Sequence, residues 1–129
     1  MKWREGGGNT TLMELDDTGD LTIAGTLTES SDERLKDNIQ TLDPLKVFDM
    51  RGVSYIKNDR DDSGVVAQEI EQVAPEVVAT SDDEQGLKSV RYSNLTGYLI
   101  EGVKYLKKEN EELKNEISEI KQILKELQN

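Results

Sequence analysis

The sequence predicts an α+β fold in three parts: short strands at 1–30, a small mixed globular unit at 31–97 and a long helix at 98–129. Three observations carry this expectation. Leu21, Ile23 and Leu27 fall on one side of a period-two pattern with threonine between them. Short apolar runs broken by Pro44, Gly52, Gly64 and Pro75 follow. From Leu99 to Leu127 apolar residues then alternate by fours and threes.

Composition bounds what such a chain does. Of 129 residues, 34% are hydrophobic and 33% charged, so a single copy has little from which to build a core. A chain of this size gains burial by oligomerising. The net charge of −11 argues against a nucleic-acid partner, which requires clustered Lys and Arg. Without Cys there is no disulfide or thiolate chemistry, and without His no Ser-His triad. No apolar run approaches the roughly 20 residues that span a bilayer, and no signal peptide is visible. The opening at Met1-Lys2-Trp3 fits a boundary within a longer protein.

In chain order, Gly6-Gly7-Gly8 precedes a strand-like run from Thr10 to Leu27, turned at Asp17-Thr18-Gly19-Asp20. Strands this short cannot close a core alone and would pack against copies of themselves. A flexible linker with some β propensity is the alternative, but the regular alternation running into the Ser31 segment favours the end of a trimeric β-structured fibre or spike. A serine cap at Ser30 or Ser31 predicts a short helix to about Leu42, ended by Asp43-Pro44. Val47–Ile56 reads as a strand pair or one strand bent at Gly52, and Asn58–Gly64 as a polar turn. Gly64–Ala67 reads as a short buried strand and Gln68–Val73 as a helix stopped by Pro75. Val77-Val78 is extended, Ser81–Gly86 an acidic loop and Leu87–Tyr92 a last strand. From about Ser93 a helix begins. Its heptads place Val103, Asn110, Ile117 and Leu124 at a, and Leu106, Leu113, Ile120 and Leu127 at d. Glu109 and Glu116 at g face Lys114 and Lys121 at e of a neighbour in a parallel coiled coil, with Asn110 as a register device. This a/d mixture permits two, three or four strands.

Three features bear on chemistry. Ser31 stands five residues before Lys36, and a lysine serves as base for a serine only when desolvation or a nearby cation, such as Arg34, lowers its pKa. On a helix the two are about 140° apart, so Ser31 lies off the helix or a neighbour supplies the lysine. On the residues alone, a capping serine and a solvated lysine are the simpler reading. Asp59–Gly64 and Ser81–Glu84 hold clustered carboxylates, but the calcium-loop Glu is missing and solvated turns fit better. Gln68 and Glu69 are candidates to support proton transfer or polarise a water, with a structural role the better reading. No metal or other cofactor is expected.

Four blocks carry a resemblance. They are Ser31-Asp32-x-Arg34-Leu35-Lys36-x-Asn38-Ile39, then Gly64-Val65-Val66-Ala67-Gln68-Glu69-Ile70-Glu71-x-Val73-x-Pro75-Glu76-Val77-Val78. Lys88-Ser89-Val90-x-Tyr92-x-x-Leu95 and Leu99-Ile100-Glu101-Gly102-Val103-Lys104-x-Leu106 follow. Their order and spacing resemble the self-cleaving intramolecular chaperone domain at the C-terminus of phage endosialidases, tail spikes and tail fibres. That domain also occurs in a membrane-bound eukaryotic transcription factor, but this chain has no basic DNA-binding sequence.

The resemblance implies a homotrimer that templates folding of the upstream fibre segment and then cuts the Ser30–Ser31 bond. Ser31 is then the nucleophile and Lys36 the general base, by N-to-O acyl shift or direct hydrolysis, with Arg34, Gln68 and Glu69 as supporting candidates. Ser30 is also a hydroxyl, but the spacing to the Asp-x-Arg-x-Lys block favours Ser31. The expected setting is the host bacterial cytoplasm during phage assembly, with the N-terminal product in the virion tail. The alternative is a structural trimerisation tip that never cleaves.

Overall fold

The computed structural model describes residues 2–4 and 11–129, and the chain divides into two compact units, 1–39 and 40–129. The Gly6-Gly7-Gly8 run lies outside the described residues. In the first unit, β1 (Lys2–Arg4), β2 (Thr11–Leu15) and β3 (Leu21–Ile23) form an antiparallel sheet in that order. The β2–β3 register pairs Met13 with Ile23 and Leu15 with Leu21, so the period-two residues share one face. The Asp16 carboxylate closes the intervening turn by accepting from the backbone N–H groups of Thr18 and Asp20 at 3.0 and 2.8 Å. Leu12, Leu15, Leu21, Ile23 and Leu27 all remain exposed. Neither β2 nor β3 contributes a buried side chain in one copy.

The helix expected from Ser30 or Ser31 to Leu42 is a single 3-10 turn, Glu33–Leu35, and its cap is Asp32 rather than a serine. Nothing rewards a longer helix here, because Leu35 and Ile39 stay 72% and 64% exposed. Asn38 adopts φ 51°, a left-handed conformation incompatible with continuing one.

In the second unit, the first half of the expected 47–56 strand is another 3-10 turn, Lys46–Asp49. Strand β4 (Val53–Lys57) then forms a hairpin with β5 (Arg60–Gly64). The expected polar turn at 58–64 shrinks to Asn58-Asp59, both at positive φ as a two-residue hairpin loop requires. The strand reading of Gly64–Ala67 also fails: Gly64 ends β5, while Ala67 already opens helix α1 (Ala67–Val73). Pro75 ends that helix and begins a 3-10 turn through Val77. Strands β6 (Val78–Thr80) and β7 (Lys88–Val90) pair across the acidic loop, which Asp83 organises by accepting from Ser81 Oγ and from the N–H groups of Gln85 and Gly86. Helix α2 runs 33 residues, Leu95–Leu127.

Two-stranded hairpins are marginal alone, so the second unit depends on one small cluster. Ile70, Ala74, Val77 and Tyr98 are buried, with Leu42, Val47, Met50, Val65, Val78 and Leu95 packed against them. The first turns of α2 approach the 42–47 segment closely because Gly97 and Gly102 carry no Cβ. One at Gly102 would lie 2.4 Å from Val47 Cγ1, and one at Gly97 3.0 Å from Leu42 Cδ1. Tyr98, the only polar side chain in the cluster, donates its hydroxyl proton to Glu76. Burial and that bond push the Tyr98 hydroxyl up to about 12, and the bond, against the opposing effect of burial, holds the Glu76 carboxyl below its ordinary range.

Beyond Gly102, α2 is exposed except at half-buried Tyr105, whose ring meets that of Phe48 edge-on. Val103, Leu106, Leu113, Ile117, Ile120, Leu124 and Leu127 are each at least half exposed along one stripe. Within the chain its charges satisfy local partners: Lys107–Glu111 and Lys108–Glu112 are i,i+4 pairs, and the Tyr105 hydroxyl donates to Glu109. No helix among the described residues is long and apolar enough to cross a membrane.

Candidate functional site

The first unit brings Ser31 and Lys36 into contact. Lys36 Nζ donates to Ser31 Oγ at 2.7 Å and to the Ser31 carbonyl at 3.0 Å. A continuous helix would have separated these side chains. The chain instead enters the turn from extended Asp32 (φ −62°, ψ 136°) and leaves it at extended Lys36 (φ −129°, ψ 137°), which returns the lysine to the serine. The contact forms within a single chain. Because Asp32 occupies the capping position, the Ser31 hydroxyl is not spent on a backbone N–H of the turn.

Asp32 and Arg34 form a fork. Arg34 Nε donates to Asp32 Oδ1 at 2.9 Å and Nη2 to Oδ2 at 2.7 Å, while the Arg34 backbone N–H donates to Oδ1 at 2.9 Å. These bonds hold the Asp32 carboxyl below the usual carboxylate range and raise the Arg34 guanidinium. The sequence pointed to Ser30 or Ser31 as the cap and gave Asp32 no role beyond its place in the motif block. The Asp-x-Arg spacing just before a lysine was the signal of a capping aspartate, hidden by the equal suitability of the two preceding serines.

Ser31, Arg34 and Lys36 thus lie in one short segment, and both Ser31 and Lys36 are exposed in the single chain. Gln68 and Glu69 belong to the second unit, in the first turn of α1. The Glu69 carboxylate receives both Nε and Nη2 of Arg51, which lowers its pKa and keeps it ionised, so the chain spends it on an ion pair. Glu71 takes Lys88 Nζ at 2.8 Å, tying α1 to β7, and Asp61 and Asp62 sit in β5. Among the described residues no group of three or more His, Cys, Asp or Glu is placed to hold a metal.

A family profile described as chaperone of endosialidase matches residues 31–79, opening on Ser31 itself. Over that segment the chain matches the endosialidase-chaperone family. The family carries a peptidase name. The chain is also 31% identical, over a 112-residue alignment, to the long tail fiber protein Gp37 of Salmonella phage S16. That alignment covers 77% of this chain and 15% of the phage protein, so the chain spans only a small part of that relative's length. The profile takes in the Ser31–Lys36 turn, the β4–β5 hairpin and α1, which places the contact at the very start of the endosialidase-chaperone match.

Proposed function

We propose that this chain is an intramolecular chaperone that trimerises, templates the folding of an upstream phage tail fibre or spike, and then releases itself by cutting the Ser30–Ser31 bond. The observation that carries the reading is the 2.7 Å contact from Lys36 Nζ to Ser31 Oγ, at the first residue of the family match. In this mechanism the Lys36 amine, once neutral, accepts the Ser31 hydroxyl proton while Oγ attacks the Ser30 carbonyl carbon. The Ser30–Ser31 C–N bond breaks and the Ser31 nitrogen leaves protonated as an amine. Water then hydrolyses the resulting ester between Ser30 and Ser31 Oγ, or attacks the amide directly with Lys36 as base. Both routes give a Ser30 carboxylate and a new Ser31 N-terminus.

Assembly supplies the control. Lys36 is solvent-exposed in one copy, and a lysine becomes a base only when water is withdrawn from it. The exposed α2 stripe and the uncovered sheet of the first unit both call for copies of the chain, in register through a parallel coiled coil. Three-chain β structure forms slowly through non-local pairing, whereas a coiled coil is local and fast. Coupling lysine desolvation to assembly makes cleavage a test of correct folding and leaves the fibre kinetically trapped. The setting is the host cytoplasm during assembly, with the upstream product in the tail.

Intact mass of freshly purified protein, beside Ser31→Ala and Lys36→Met, tests this. A Ser31–Asn129 fragment in the unsubstituted chain alone supports the mechanism. Full-length mass in all three, from a folded oligomer, identifies the chain as a trimerisation tip that never cleaves.

A further inference from the structure

We infer that Asp32, gripped by Arg34, is a positioning residue for the Ser31–Lys36 pair; the inference rests on the cleavage reading above. The pair stands five positions apart, and only the reversal at Glu33–Leu35 lets them touch. That turn has no buried residue, and Leu35 at its end is 72% exposed. Its own backbone contributes two bonds, Leu35 N–H to Asp32 O at 3.1 Å and Lys36 N–H to Glu33 O at 3.0 Å. A single turn without packing is not self-supporting, since fixing its dihedrals costs more than so few bonds return.

What remains to hold it is the Asp32 side chain. Oδ1 takes the Arg34 N–H and Nε, and Oδ2 takes Nη2, so three bonds from one neighbour engage both carboxylate oxygens. The grip fixes the Asp32 rotamer and the Arg34 backbone together, and the chain leaves the turn with Lys36 extended toward Ser31. Arg34 acts here through its planar fork, which a lysine cannot reproduce. Its role is to set the turn, in place of the cation beside Lys36 that the sequence suggested.

The test follows cleavage of the full chain after pulse-labelled cell-free synthesis, for the unsubstituted protein and for Asp32→Ala, Asp32→Asn and Arg34→Lys. Misplacing a reacting group by about an ångström costs up to about a hundredfold, so Asp32→Ala is expected to slow cleavage by about tenfold or more. Asp32→Asn keeps the capping oxygen but turns Oδ2 into an N–H group that cannot accept from Nη2, so it recovers only part of the rate. Arg34→Lys keeps the charge, loses the fork and is slowed. Sedimentation mass and thermal midpoint are expected to match across all four. Cleavage of Asp32→Ala at the unsubstituted rate, or a rate that falls only in step with lost assembly, overturns the positioning role alone. An unsubstituted chain that stays full length overturns the cleavage reading and this inference with it.

Discussion

Replacing Tyr98 by Phe tests the account of the core, because it removes one hydroxyl from an otherwise apolar cluster. The hydroxyl donates to the Glu76 carboxylate, and bonds to charged partners contribute about 1.5–3 kcal/mol. Glu76 is on the surface and can turn to water once released, so we expect the low end, about 1.5 kcal/mol of lost stability at pH 7. The sign reverses in alkali. Tyr98 titrates at about 12 when folded against 10.0 as its ordinary value, so its contribution is intact below pH 10 and is lost as pH rises toward 12. Two pKa units correspond to roughly 2.7 kcal/mol, half of it gone by about pH 11. The unsubstituted and Tyr98→Phe stability curves should therefore cross near pH 11. Guanidinium denaturation from pH 7 to 11.5, at one protein concentration, measures the difference, and titration of the other tyrosines and the lysines cancels in it. A gap that stays constant across this range refutes the buried, Glu76-bound tyrosine.

Three further outcomes follow from the packing. Ile70→Ala empties the centre of the only buried cluster described and should cost about 2–5 kcal/mol in denaturant unfolding, with an unchanged slope. Gly102→Ala gains up to about 1 kcal/mol of helix propensity, but its Cβ meets Val47 Cγ1 at 2.4 Å. Overpacking of about 1–3 kcal/mol should win, giving a lower midpoint, and Val47→Ala should relieve it. Ile117→Asp puts a charge in the middle of the exposed α2 stripe, and sedimentation should show loss of the oligomer; an unchanged mass would mean that the stripe is not the assembly seam.

Much of this organisation was legible in the sequence. The Asp17–Asp20 turn, the α1 stop at Pro75 and the α2 heptads each rest on a strong local rule, and the structure follows them. The misread stretches are those whose local chemistry is ambiguous. Arg60–Gly64 looks like a loop by composition, yet forms β5 because β4 offers it a complete antiparallel ladder. The 31–42 helix had a plausible cap but no partner surface, and without burial it shrank to one turn.

By itself, the sequence determined the α+β character, the apolar stripe of α2 and the spacing that makes Ser31 and Lys36 candidates for chemistry. Those follow from periodicity, from residue type and from the order of the motif blocks. Tertiary structure decided which residue caps the turn, that Lys36 and Ser31 can touch within one chain, and that Glu69 pairs with Arg51. It also decided that Tyr98 is the polar member of the core. Each of these depends on which side chains compete for one donor or one space, and that competition is resolved only when the chain is folded.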